Sequence, residues 1–153
     1  MKIESIPLYD QIPLGGATHL IDVSHEDLTE TTADTAQNVT LSVVSGELFD
    51  VTAVRLVEAF EDSSDSDFDD TALQIGDEDS ANRFLASTQL NENGTTVSFK
   101  EGALAGRGYA YNATKEIRIN FGSMTAKKLS DLDKGRLVVF VRKVDLTAYG
   151  PYE

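Results

Sequence analysis

The sequence predicts an all-β protein, a single-domain antiparallel β-sandwich of the jelly-roll type. About eight short apolar stretches alternate with clusters of turn residues, at spacings typical of a sandwich or jelly roll. Strands do not alternate with long amphipathic segments, which argues against a parallel α/β fold. A chain of 153 residues fits one domain and buries enough surface to fold without a disulfide or a metal. We also expect one short helix and extended arms at both ends.

The N-terminal segment is rich in large apolar residues but is interrupted by Pro7 and Pro13. Because proline cannot donate to a central ladder, this segment is predicted to be an edge strand or an extended arm. Gly15 and Gly16 follow as a hinge, so we divide the chain into an arm (residues 1–16), a sandwich domain (17–146) and a C-terminal tail (147–153). The arm is expected to dock on a neighbouring subunit or another protein through its apolar side chains, Ile3, Ile6, Leu8, Tyr9, Ile12 and Leu14.

The first strands of the domain are predicted from alternation. Residues 18–23 form a strand, and Ser24 is placed to cap a single helical turn after it. A second strand covers residues 37–44, where Val39, Leu41 and Val43 fall on one face.

The stretch 51–85 organises the sandwich. A strand over residues 51–60 is followed by an acidic loop and by a second strand over residues 71–75. Arg55 and Glu58 interrupt the first apolar strand and, three positions apart, are predicted to point to opposite faces. Two interpretations stay open: both charges lie toward a solvated sheet face, or they contact a neighbouring subunit.

The remaining strands follow from turn signals and from one strict alternation. Asn93-Gly94 is a hairpin signal that favours strand for residues 85–90. Residues 115–121 form a strand whose inward side chains are Ile117, Ile119 and Phe121.

The last part of the domain combines a short helix with a buried strand. Residues 125–133 are predicted to form the helix, and Gly135 sits where a C-cap glycine would lie. Residues 136–144 are apolar on both faces, which indicates a central strand.

The acidic loop is the one place where the sequence suggests a ligand. Its aspartates are spaced like the first ligands of an EF-hand, but Asp70 stands at the glycine position and Gly76 at the terminal glutamate position. A dedicated EF-hand is therefore rejected. Two interpretations remain, a self-repelling solvated loop and a looser Ca²⁺ site built from Asp62, Asp65, Asp67 and Asp69.

Charge and composition exclude several functions. The net charge is −13, with −17 in residues 1–99 and +4 in residues 100–153. Such a surface repels nucleic acid and anionic membranes, so neither is expected as a partner. The chain has no cysteine, which excludes thiol catalysis and thiolate metal sites. It shows neither a signal-peptide pattern nor an apolar run of transmembrane length.

Catalytic motifs are missing from the sequence. His19 and His25 have no matching nucleophile motif, and no G-x-S-x-G, H-E-x-x-H or Walker pattern occurs. Carboxylates are plentiful, but nothing fixes two of them at the separation that a glycosidase needs. We therefore expect a protein that is not an enzyme and that needs no cofactor, Ca²⁺ being the one candidate.

Several stretches resemble one family. A Leu28-Thr29 entry precedes a threonine-rich strand, a strand ending at Phe60 leads into the acidic loop, and the next strand ends in Ile75-Gly76-Asp77. Together with the apolar strand that follows Gly135, this pattern resembles the small jelly-roll decoration, or cement, proteins of tailed-bacteriophage capsids. The resemblance covers about residues 28–146.

The resemblance implies a non-enzymatic virion protein, made in the host cytoplasm, that oligomerises on the capsid exterior and stabilises the shell. Its expected partners are the major capsid protein and further copies of itself, with a trimer preferred because of the arms and of Arg55 and Glu58 in an apolar strand. The alternative is a calcium-dependent carbohydrate-binding or adhesin-like module of a virion or cell surface. That interpretation depends on the acidic loop and on Tyr109 and Tyr111.

Overall fold

Strands dominate the structure. The computed structural model describes residues 1–11, 16–65, 72–90 and 108–148. In these ranges one short helix, α1 (Leu8–Gln11), and two 3-10 turns, His25–Asp27 and Leu129–Asp131, accompany the strands. The strands are β1 (Lys2–Ser5), β2 (His19–Ser24), β3 (Gln37–Val44), β4 (Glu47–Glu61), β5 (Ala72–Asp77), β6 (Leu85–Gln89), β7 (Tyr109–Tyr111), β8 (Lys115–Phe121) and β9 (Lys134–Asp145).

The strands form two antiparallel sheets. One has the order β1-β2-β9-β4-β7 and the other the order β3-β8-β5-β6. Without β1, the remaining eight strands divide between two four-stranded sheets in the order of a jelly roll. The predicted fold class, an all-β sandwich of the jelly-roll type, is confirmed.

The core lies between the two sheets and is filled by aliphatic and aromatic side chains. Phe49 packs edge-on against Phe84 with ring centroids 5.4 Å apart, and Phe60 packs against Phe121 at 5.6 Å. The Phe60–Phe121 pair joins β4 to β8, the Phe49–Phe84 pair joins β4 to the residue just before β6, and all four rings are buried. Contacts of this geometry add to the free energy of area burial, so they fix how the two sheets face each other.

Two strand predictions are confirmed in detail. In β8, Ile117, Ile119 and Phe121 are fully buried, as the alternation predicts. Strand β9 lies between β2 and β4 and is therefore central.

Two facing predictions are wrong, and β-bulges explain both. A bulge at Leu41 shifts the register of β3 between Thr40 and Ser42, so Val44 takes the inward position and Val43 is 56% exposed. In β4 a second bulge separates Leu56 from Glu58. Arg55 and Glu58 are therefore both exposed on the outer face of the sheet, although their spacing predicts opposite faces. An extra residue in a strand moves every later side chain to the opposite face of the sheet.

Gly135 has a different role from the predicted helix cap. It lies inside β9 with φ 131°, and a Cβ there would stand 2.4 Å from ring atoms of Phe60. Only glycine accommodates both the backbone conformation and this close approach. The helix predicted before it is reduced to the 3-10 turn Leu129–Asp131.

The N-terminal segment belongs partly to the sandwich. Strand β1 pairs with β2 of its own sheet, with Ile3 opposite Ile21, so its first residues form an edge strand in place of a free arm. Ile6 is buried, and the Ile6 N–H donates to the Thr18 carbonyl (2.8 Å). Ile12 and Leu14, the Asn93-Gly94 turn and the tail beyond residue 148 lie outside the described residues.

Candidate interaction sites

The N-terminal edge exposes large apolar side chains. Ile3 is 52% exposed on β1, and Leu8 and Tyr9 on α1 are each 79% exposed. We call these three residues the N-terminal apolar edge. Of the side chains predicted to contact a partner from this segment, Ile6 instead packs inward. Since β1 is the outermost strand of its sheet, one side of its backbone has no strand partner within the described residues.

The outer face of the five-stranded sheet carries Arg55 and Glu58. Arg55 lies opposite Val138 on β9, and within the described ranges it forms no ion pair. Glu58 lies opposite Arg136, and its carboxylate accepts a long hydrogen bond from the Gly135 N–H (3.4 Å). Arg136 in turn binds Asp22 through two nitrogen atoms. The structure therefore places both predicted residues toward solvent and leaves Arg55 available to a partner.

The described part of the acidic loop is occupied by local bonds. Asp62 accepts hydrogen bonds from the Ser64 N–H (2.8 Å) and hydroxyl (2.6 Å), and Asp65 forms an ion pair with Lys127. Asp67 and Asp69 lie outside the described residues. Over the ranges that the structure describes, no three His, Asp or Glu side chains are grouped so that they could hold a metal ion.

A buried carboxylate, Asp77, joins the two sheets. Asp77 is the last residue of β5. Its side chain is fully buried and accepts hydrogen bonds from four donors. The Tyr111 hydroxyl from β7 and the Arg83 guanidinium bind Oδ2, the tyrosine at 2.5 Å. The N–H groups of Asp79 and Ser80 bind Oδ1 at 2.9 and 2.8 Å. We call these residues the Asp77 cluster.

The electrostatics of the Asp77 cluster favour the charged carboxylate. Burial alone would raise the pKa of Asp77, but the hydrogen bonds from Tyr111, Arg83, Ser80 and Asp79 outweigh it and hold that pKa below its ordinary value. Burial, together with the hydrogen bond to Asp77, raises the pKa of Tyr111 strongly. Tyr111 therefore stays a neutral donor and Asp77 an ionised acceptor throughout the physiological range.

The same cluster explains where Tyr109 lies. The Arg83 guanidinium stands 4.0 Å above the Tyr109 ring centroid, and the Tyr111 ring lies 4.8 Å away. Tyr111 is buried and bonded to Asp77, so of the two tyrosines on which the carbohydrate-binding alternative depends, Tyr111 does not reach the surface. Tyr109 remains 44% exposed.

The sequence reasoning missed the Asp77 cluster, although a signal was present. Leu73, Ile75 and Asp77 alternate at period two, so extending the strand by two residues puts Asp77 on the buried face. The strand predicted over residues 71–75 stops short of Asp77.

A polar groove of about 220 Å³ opens on the outer face of the four-stranded sheet. Three side-chain amides cross its floor in one row, because Asn38, Asn120 and Gln74 are direct neighbours on β3, β8 and β5. Asn120 Nδ2 donates to Asn38 Oδ1 (3.0 Å), and Gln74 Nε2 donates to Asn120 Oδ1 (3.4 Å). We call these three residues the amide row.

The two histidines lie at the two ends of β2. His19 Nδ1 is hydrogen-bonded to the Thr18 hydroxyl (2.8 Å). Burial, followed by the charge of Lys143, lowers the pKa of His19, so its imidazole is neutral at physiological pH. His25 begins the 3-10 turn that follows Ser24.

Comparison with known proteins gives no assignment. No protein-family model, no curated protein and no solved structure matches this chain. Within the described residues, no helix has the length and apolar character needed to cross a membrane.

Proposed function

We propose that this chain is a non-enzymatic structural protein of a virion, a decoration or cement protein on the exterior of a tailed-bacteriophage capsid. The sequence pattern between residues 28 and 146 supports the family, and the jelly-roll order of the strands is compatible with it. In this proposal the chain is made in the host cytoplasm, binds the major capsid protein and oligomerises on the shell, with a trimer preferred.

The observation that carries the proposal is the N-terminal apolar edge. Leu8 and Tyr9 lie side by side in a helix of one turn, and neither reaches the core. Burying one such side chain contributes about 1.5–3 kcal/mol, so a partner surface that covers both gains a substantial part of a stable contact. A protein that only needs to fold gains nothing from their exposure.

The backbone of β1 offers a second element of recognition. Its outer edge can accept a further strand, for which main-chain hydrogen bonds supply affinity and alternate side chains supply specificity. Ile3 is exposed on this strand beside the ion pair of Lys2 with Glu4. Arg55, on the same sheet, adds a charge that an acidic group of a partner can pair with.

The proposal is tested on purified virus particles and on the isolated chain. Mass spectrometry of particles is expected to find the chain in a fixed ratio to the major capsid protein. Sedimentation of the isolated chain at micromolar concentration, or of the chain released from particles, is expected to give an oligomer. Absence of the chain from particles of the virus that encodes it would contradict the proposal.

A further inference from the structure

The polar groove lies on the sheet opposite the one that contains the N-terminal apolar edge, so a second contact can form there independently. Its floor is the amide row, and Asp77, Glu78, Asp79, Ala81 and Arg118 complete the lining. The three amides together carry six N–H donors, and two of these are used in the bonds along the row. The row thus presents donors and acceptors whose orientation is already fixed by neighbouring strands.

One wall of the groove is held rigidly by the fold. The turn after β5 folds back so closely that a Cβ on Gly76 would stand 2.0 Å from the Ser80 carbonyl oxygen. The buried Asp77 carboxylate holds the same turn through the N–H groups of Asp79 and Ser80. Gln74 on β5 and Arg118 on the neighbouring strand β8 line the groove beside this turn. Such preorganisation lowers the entropy lost on binding.

The charges at the groove are already paired. Arg118 contacts Glu116 at 3.0 Å and Glu78 at 3.8 Å, and Lys115 contacts Asp79 at 3.0 Å. An anion would meet this excess of carboxylates, and a metal ion would have to displace Arg118. A neutral ligand with several hydroxyl groups fits better, because each hydroxyl both donates and accepts and so matches amides and charged groups alike.

We propose that this groove binds one sugar unit of a neutral glycan, with the amide row reading its hydroxyl groups and the Arg118–Glu78 pair at one side. The volume is below the range typical of drug-sized ligands, which suits a single ring. The exposed methyl group of Ala81 offers a small apolar surface against which the C–H face of the ring can lie. The site needs no metal and is separate from the acidic loop. It therefore goes beyond the proposed structural role.

The test is an NMR titration of the ¹⁵N-labelled full chain with the methyl glycosides of glucose, galactose, mannose and N-acetylglucosamine. At least one glycoside is expected to shift the side-chain amide signals of Asn38, Asn120 and Gln74 saturably, with roughly millimolar affinity for a single ring. The variant Gln74→Leu keeps the size of the side chain and removes its amide. It is expected to weaken binding by about three- to tenfold, as the loss of one or two hydrogen bonds does.

Two controls make the outcome decisive. Glu26→Gln changes an exposed residue in the 3-10 turn after β2, whose sheet does not contain the amide row, and is expected to leave binding unchanged. Glycerol, supplied at the same hydroxyl concentration, is expected to give no saturable shift. The inference is overturned if no glycoside shifts the amide row, if glycerol shifts it equally, or if Gln74→Leu binds as well as the unchanged chain. None of these results bears on whether the chain occurs in virus particles, so the proposed function is judged separately.

Discussion

The Asp77 cluster and the N-terminal apolar edge depart in opposite ways from the usual pattern, in which charged side chains are exposed and large apolar side chains are buried. The first buries a charged carboxylate inside the sandwich, and the second exposes three large apolar side chains on its rim. In the Asp77 cluster every oxygen of the carboxylate has donors from the same chain. At the apolar edge, Leu8 and Tyr9 are each 79% exposed.

The difference separates what the fold requires from what a partner supplies. A buried charge is tolerated only when it is fully bonded, so the Asp77 cluster has its complete set of contacts within one chain. In the proposed function, the exposed apolar surface is covered by another molecule. Changes in the Asp77 cluster should therefore alter the stability of the isolated chain, and changes at the apolar edge should alter association alone.

The largest effect is expected from Asp77→Ala. The change leaves Arg83, Tyr111 and two backbone N–H groups without their acceptor, and loss of one partner of a buried ion pair costs about 3–5 kcal/mol. Urea unfolding at neutral pH measures this loss in the free energy of unfolding. Asp79→Ala is the matched control in the same turn, because Asp79 forms only an exposed pair with Lys115 and its loss should cost less than about 1 kcal/mol. If the two changes lower the free energy of unfolding equally, the buried bonds of Asp77 stabilise the fold no more than the exposed pair of Asp79 does.

Gly135→Ala should have the next largest effect. It combines a strained backbone at φ 131° with a Cβ 2.4 Å from the Phe60 ring, and we expect a loss of about 2–4 kcal/mol. Gly122→Ala is the control, since a Cβ there meets its nearest atom, the Ala72 carbonyl oxygen, at an ordinary 3.4 Å. The same unfolding measurement serves both. If Gly135→Ala is as stable as Gly122→Ala, β9 and Phe60 are less tightly packed than described.

How much of this could be predicted depends on how local each cause is. The alternation of Ile117, Ile119 and Phe121 depends only on residues within one strand. The sequence could therefore predict which side chains of β8 are buried. The bulge at Leu41 depends on how β3 meets β8, and the need for glycine at 135 depends on a ring 75 positions earlier in the chain. The jelly-roll class followed from the number and spacing of strands. The amide row required the register between three strands, which no single segment encodes.

The Asp77 cluster should also shape the response to acid. The pKa of Asp77 is held below its ordinary value near 4, so its contribution to stability is complete above that value and is lost as the pH falls through the folded-state pKa. Urea midpoints measured from about pH 7 to about pH 2.5 are expected to fall more steeply for the unchanged chain than for Asp77→Asn. If the urea midpoints of both proteins fall equally steeply in acid, the effect comes from other carboxylates. Asp22 and Asp133, whose pKa values are also lowered, are examples.

Calcium should have the smallest effect on stability. Asp62 and Asp65 are engaged by Ser64 and Lys127, and the described part of the loop does not group three carboxylates around one point. Melting in excess calcium and in chelator is expected to differ by only a few degrees, since the core supplies the stability. A large difference would favour the calcium-dependent adhesin alternative and would assign a ligand role to the loop.

The most direct test of the central claim combines Leu8→Ser with Tyr9→Ser. Deletion of residues 1–14 cannot serve, because it also removes buried Ile6 and the pairing of β1 with β2. The double variant is expected to keep the free energy of unfolding within about 0.5 kcal/mol and to lose co-sedimentation with capsids lacking the chain. Leu146→Ser, another exposed apolar residue, should keep both properties. Normal co-sedimentation of the double variant would contradict the account, since the N-terminal apolar edge would then not be the contact with the shell.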